Sequence, residues 1–206
     1  MIEFRPARTQ DLDAYYRISL LTGDLGRDAS ALYDDPKLMG HIYSAPYLLH
    51  SRDLCLSVIA DGAVAGYCVG TADTTGFADI LERDWWPALR RRYPVPDPTR
   101  QTVWTADERR IAAVHHPVFA PRTITDCYPA HIHMNLLPRC QGHGVGTRLL
   151  QEWFGIARAQ GVEAVHLGAN FGNRSGIAFW SSQGFVHQSV EGDRRTFWMA
   201  QDLPLT

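Results

Sequence analysis

The residues best placed to do chemistry lie in one stretch: Leu136-Leu137-Pro138-Arg139-Cys140-Gln141-Gly142-His143-Gly144-Val145-Gly146-Thr147. A strand-like run ends, glycines follow at alternate positions, and a helix-like run begins. Glycine opens backbone conformations that other residues avoid and lets N–H groups approach a ligand closely. A helix start adds unpaired N–H groups and partial positive charge. Such a place suits a phosphate. Spacing excludes two common phosphate loops. The stretch has no lysine, so G-x-x-x-x-G-K-[ST] is absent. A dinucleotide loop needs a third glycine where Thr147 stands. What remains is Q-x-x-G-x-G, carried by Gln141, Gly144 and Gly146.

Groups that could move a proton lie nearby. His131 and His133 are two apart in the strand-like run before the loop, so they share a face. Asp73, Asp126 and Tyr128 are the other candidates for general base. Asp73 follows a strand, where turn capping is an equal use for it. As metal ligands, His131 and His133 lack an obvious third partner, so no metal is expected.

These residues need elements to hold them. Ile2–Pro6 reads as a strand, followed by a helix from about Asp11 with Thr9 as its cap. Asp35-Pro36 opens a short helix ending at Gly40. Asp61-Gly62 is a two-residue hairpin turn between Leu54–Ala60 and Ala63–Thr71. Residues 72–129 read as a long insert with helices near Phe77–Arg92 and Thr105–Val114. Its Trp85, Trp86 and Trp104 are candidates to floor a cleft or to pack the insert. Ala130–Leu137 reads as a strand, 143–160 as a helix, Ala164–Gly168 as a strand and Asn173–Gln183 as a helix. Phe185–Ser189 and Thr196–Gln201 read as the last strands. The expectation is an α/β (α+β) chain, residues 1–206 forming one domain: a mixed central sheet, flanking helices and an insert between strands 3 and 4.

Composition sets the outer limits. The chain has 206 residues and a formal net charge of −2, which argues against an electrostatically driven nucleic-acid binder. Apolar residues make up 45%, enough for a core, yet no apolar run approaches a membrane span. The 4 cysteines form no C-x-x-C pair and point to a reduced, cytoplasmic protein.

The Q-x-x-G-x-G loop resembles the pyrophosphate loop of the GNAT acetyltransferase superfamily. Asn173-Arg174-Ser175-Gly176-Ile177-Ala178-Phe179-Trp180, then Gly184-Phe185, is similar to that superfamily's second signature, N-x-x-A-x-x-F-Y-x-x-x-G-F. A finer resemblance covers most of the chain. Gly66–Phe77, Trp86-Pro87, Tyr128–Met134 and the insert between them are similar to the acetyltransferase-like C-terminal domain of animal O-GlcNAcase. That domain lacks the glycine-rich loop, so this chain looks like its free-standing bacterial relatives.

The resemblance implies a GNAT fold and acetyl-coenzyme A as co-substrate. It implies that the strand before the loop parts from its neighbour and that Met134, Asn135, Leu136 and Leu137 lie nearest the thioester. It places Gln141, Gly142, His143, Gly144, Val145, Gly146 and Thr147 on the pyrophosphate, and Asn173 and Trp180 beside the coenzyme. An unidentified amine, small or protein-borne, would be the acceptor, with His133, His131, Asp73 or Tyr128 in catalysis. Trp180 replaces the usual tyrosine and cannot supply its proton. The other reading is a non-catalytic acyl-coenzyme A or peptide-binding module on the same fold. The chain is expected to be a monomer or homodimer.

Overall fold

Alternating apolar residues and turn signals build seven strands: β1 (Ile2–Pro6), β2 (Cys55–Ala60), β3 (Ala63–Thr71), β4 (Ala130–Leu136), β5 (Ala164–Asn170), β6 (Val186–Gln188) and β7 (Thr196–Asp202). In this computed structural model, which describes residues 1–193 and 195–203, they form one sheet ordered β1-β2-β3-β4-β5-β7-β6. Only β4 and β5 run parallel among its neighbours. The β2–β3 turn is the expected one: Asp61 (φ 54°) and Gly62 (φ 77°) both take the positive values a type I′ turn needs. Among the described residues no helix is long and apolar enough to cross a membrane.

The helices cover both faces. On one, α8 (Val145–Ala159) buries Leu149, Leu150, Trp153 and Phe154. Trp153 Nε1 donates to the Leu54 carbonyl at 3.0 Å. This packing uses Gly70, where any Cβ would run into the indole and the His131 carbonyl. On the other face lie α1 (Leu12–Leu21), α2 (Leu38–Tyr43) and α3 (Ala45–His50). Gly40 was expected to end a helix. Instead it lies inside α2, because the space its Cβ would fill is taken by the Tyr16 ring.

The insert is ordered. It holds α4 (Thr74–Asp84), α5 (Trp86–Arg92), α6 (Ala106–His115) and α7 (Arg122–Thr125), so the expected helix near Phe77–Arg92 is two, parted at Trp85. Its ends are stitched together where Thr74 N and Oγ1 donate to the Pro129 carbonyl at 2.9 and 2.6 Å. Arg90 grips Glu82 with two hydrogen bonds and donates to the Val114 carbonyl. Asp107 on α6 accepts the N–H groups of Asp34 and Asp35 at 3.0 Å, which docks the insert onto the chain entering α2.

The start of α1 is governed by Asp11 rather than Thr9. Its buried carboxylate takes two hydrogen bonds from Arg5 on β1 (2.7 and 2.8 Å), one from Arg8 N–H and one from Ser57 on β2. Burial alone would raise its pKa; Arg5, Arg8 and Ser57 overcome that and hold it at about 2. A depressed carboxyl stabilises the fold above its unfolded value, near 3.8, and loses that contribution as pH falls toward 2. Asp11→Asn should therefore lower the unfolding free energy by about 2 kcal/mol at neutral pH. The loss should shrink below pH ~4; urea titrations across that range measure it.

Candidate active site

β4 and β5 pair only at Ala130–Val165 and His131–His166, and beyond that they part. β5 stays paired with β7, and β4 with β3, so each turns a bare edge toward the gap. Leu137 N–H donates to the Ala65 carbonyl on β3. By strand alternation, Asn135 and His133 direct their N–H groups the same way, and those of Met134 and Leu136 point into the gap. The resemblance had placed all of 134–137 at a thioester. The main-chain donors of Asn135 and Leu137 are turned to β3, which leaves those of Met134 and Leu136 for the gap. The Asn135 side chain is also engaged, donating to Thr22 Oγ1 at 2.6 Å.

At the gap's open end the chain turns into α8. Gly144 caps this 15-residue helix with φ 70°, and Gly142 stands at φ 80°. Gln141 is exposed, and its Nε2 donates to the Leu136 carbonyl at 2.8 Å, which props the loop on the strand end. The N–H groups of Gly142, His143, Gly144, Val145, Gly146 and Thr147 have no partner among the described residues. They form a continuous run of donors at a helix start, on exposed backbone except at Val145 and Gly146. Gly146 lies against another ring: a Cβ there would be 3.2 Å from Phe179 of α9 (Arg174–Ser182). Arg139 is exposed, and Arg148 turns over the Phe4 ring.

The second signature behaves differently from the loop. Asn173 caps α9, accepting from Gly176 N–H at 3.0 Å. Trp180 is 8% exposed and packs edge-on against Phe179 and Phe185, with centroids 5.2 and 5.0 Å away. It is a core residue, and Phe179 is the ring that reaches the loop.

The two histidines share a face as expected, but their environments differ. His131 is buried. Thr74 Oγ1 gives its hydrogen to the Pro129 carbonyl, so His131 Nδ1–H donates to Thr74 and Nε2 accepts from Tyr47 Oη, each at 2.7 Å. Both nitrogens are used, and burial, with His133 and His166 nearby, pushes the pKa well down. His131 is therefore held neutral and has no nitrogen left for a substrate. His133 is half-buried, with ring contacts to Tyr43, Tyr47 and His131 at 6.0, 5.4 and 5.7 Å and no hydrogen-bond partner among the described residues. Burial, then His166, lowers it to about 4. The other candidates do not join it. Asp73 caps α4 through Thr75 N–H, Asp126 is exposed beside α7, and Tyr128 meets His166 through its carbonyl.

The tryptophans pack the insert. Trp85 Nε1 donates to the His41 carbonyl, Trp86 is buried, and Trp104 Nε1 donates to the Asp97 carbonyl. None of them floors the gap. The rings beside His133 are instead Tyr43 and Tyr47, and Arg110 donates to the Tyr43 hydroxyl. The i, i+4 spacing of Tyr43 and Tyr47 was the available sign.

The profile of the Acetyltransferase (GNAT) family matches residues 24–185. The chain belongs to this family. It is similar to SsHAT, whose crystal structure shares 32% identity over 98% of both chains with a TM-score of 0.89. The PaiA N-acetyltransferase of Thermoplasma acidophilum, solved with coenzyme A, has the same fold at 15% identity, covering 98% of this chain and 99% of its own, TM-score 0.60. YncA of Salmonella typhimurium, solved with its cofactor acetyl-CoA, has it at 17% identity, covering 98% and 94%, TM-score 0.56. The mixed sheet with flanking helices is thus the GNAT fold.

Removing the donor to His131 tests its structural role. Tyr47→Phe keeps the ring but leaves Nε2 a buried acceptor without a partner, and should cost about 1–3 kcal/mol in a denaturant titration. A change under ~0.5 kcal/mol would show that water replaces the hydroxyl.

Proposed function

We propose that this protein is an acetyl-coenzyme A-dependent N-acetyltransferase. The observation that carries the reading is the gap between β4 and β5, opening onto the unpartnered N–H groups of 142–147 at the head of α8. These residues fit the coenzyme. The donors suit a pyrophosphate, and the bare β4 edge suits an amide-bearing arm. Acetyl-coenzyme A supplies an acetyl group activated as a thioester. The N–H of Met134 polarises the thioester carbonyl and receives the charge that gathers on its oxygen.

His133 takes a proton from the acceptor's ammonium group, leaving a neutral amine. The new bond joins amine nitrogen to acetyl carbon, the carbon–sulfur bond breaks to release a thiolate, and one of the two protons left on nitrogen then passes to that sulfur. Trp180 offers no acid, but a thiol titrates near pH ~8.5, so its thiolate leaves without one. A base at about 4 is weak. The same burial that lowers it also lowers an ammonium brought beside it, so proton transfer remains accessible.

Within the family, we place the chain with the bacterial relatives of the acetyltransferase-like domain of O-GlcNAcase. The support is Gly66–Phe77, Tyr128–Met134 and the insert. The free cysteines support a reducing, cytoplasmic setting. The acceptor amine is the partner we expect, without nucleic acid or membrane, on a monomer or homodimer. The buried Trp180 favours a second reading, a coenzyme-binding module without turnover.

Calorimetry and a thiol-release assay over an amine panel separate the two. A Cβ at Gly142 or Gly144 meets no protein atom within 4 Å, so Gly144→Val strains the loop and spares the core. It should weaken acetyl-coenzyme A at least ~10-fold with the fold intact; unchanged affinity removes the loop from the site. His133→Gln should lower kcat by ~10²–10⁴-fold. In the parent protein His133 is neutral above its pKa of about 4, so it should impose no acid limb on kcat/KM near 6.5, only a fall toward pH 4. A limb near 6.5 that vanishes in His133→Gln would contradict this environment.

A further inference from the structure

Arg110 on α6 is half-buried, yet it holds no carboxylate among the described residues. Arg5 and Arg90 are also half-buried, and each grips one, Asp11 and Glu82. Arg110 instead donates through Nε to Tyr33 Oη and through Nη1 to Tyr43 Oη, both at 3.0 Å. Its guanidinium also lies 5.5 Å from the centre of the Tyr43 ring. Withdrawing a cation from water without a counter-charge is costly. The nearby carboxylates are engaged elsewhere: Asp107 takes two backbone N–H groups, and Asp35 takes the Tyr93 hydroxyl and the Lys37 N–H.

The donor count is one-sided. Each phenol oxygen accepts from Arg110 and keeps its own O–H to give, while Nη2 keeps both hydrogens. A positive charge and several free donors therefore converge with no acceptor among the described residues. Tyr43 connects this cluster to the chemistry, because it also stands edge-on to His133 at 6.0 Å. Cation and imidazole thus neighbour one ring, at 5.5 and 6.0 Å from its centre.

We propose that Arg110, Tyr33 and Tyr43 form a subsite for a carboxylate on the acceptor, so that the substrate is a primary amine carrying a carboxylate. The guanidinium fork takes one or both carboxylate oxygens, the phenols add neutral donors, and the ammonium end comes to His133. The positive charge of Arg110 also favours the neutral amine that attack requires. Use as an acceptor subsite rests on the acetyl-transfer reading; anion binding does not.

The test pairs ω-amino acids, from glycine to aminohexanoate, with the alkylamines that lack the carboxylate. Both thiol release and calorimetric binding are read with acetyl-coenzyme A present. At one chain length the amino acid should exceed its alkylamine in kcat/KM at least ~10-fold, mostly through KM. In Arg110→Gln the ratio should fall to about one. Tyr43→Phe keeps the ring and should reduce the ratio severalfold, which keeps the test sound if Arg110→Gln melts. If no amine turns over, tighter binding of an amino acid than its alkylamine, lost in Arg110→Gln, still supports the subsite and counts against transfer alone. Equal rates and equal binding across every pair overturn the proposal, as does a preference that survives in Arg110→Gln. A larger gain for phosphoethanolamine over ethanolamine overturns the carboxylate and assigns a phosphate.

Discussion

Backbone N–H and C=O groups must be paired or solvated, and the parting of β4 from β5 breaks that pairing deliberately. Everything about the site follows from it. The closed end is pinned where His131 pairs with His166, and where His166 Nδ1 lies 2.6 Å from the Tyr128 carbonyl. The open end is propped by Gln141 on the Leu136 carbonyl. Between these fixed points a length of strand edge is left without a partner, held straight by β3 on its other side. A surface of donors that is rigid before a ligand arrives loses little freedom on binding.

The sheet's other face imposes a second constraint. Tyr47, His131, Thr74 and the Pro129 carbonyl form one chain of hydrogen bonds in which each group has a single possible role. This chain also closes the insert, because Thr74 begins α4 and Pro129 precedes β4. The insert's base and the floor beneath His133 are thus one object. Disturbing the stitch should shift His133 and Arg110 together, since α6 is docked through Asp107 onto the chain that enters α2.

What was legible in the sequence was local. The Asp61-Gly62 turn, the glycine loop and α8 depend on neighbours within a few residues, and each stands where spacing put it. Gly40 was misread because its partner, Tyr16, lies on another helix. The two histidines could be put on one face by counting, but not told apart. Their difference arises from Tyr47 and Thr74, far away in the chain. Arg110 was invisible among the many arginines for the same reason: its tyrosines come from a segment before the insert. The tryptophans misled because large rings suit a cleft floor and a packed interior equally well.

The β4 edge offers its ligand main chain and not side chains. Met134 and Leu136 face the gap with atoms that every residue except proline possesses. An alanine scan along this strand would therefore return an almost blank map of the surface on which the reaction is staged, because alanine presents the same amide. Side-chain identity there is free to drift with the demands of packing, while the shape of the backbone is not. Function at this edge can be lost by bending, or by proline, with hardly any chemical signature at the position itself.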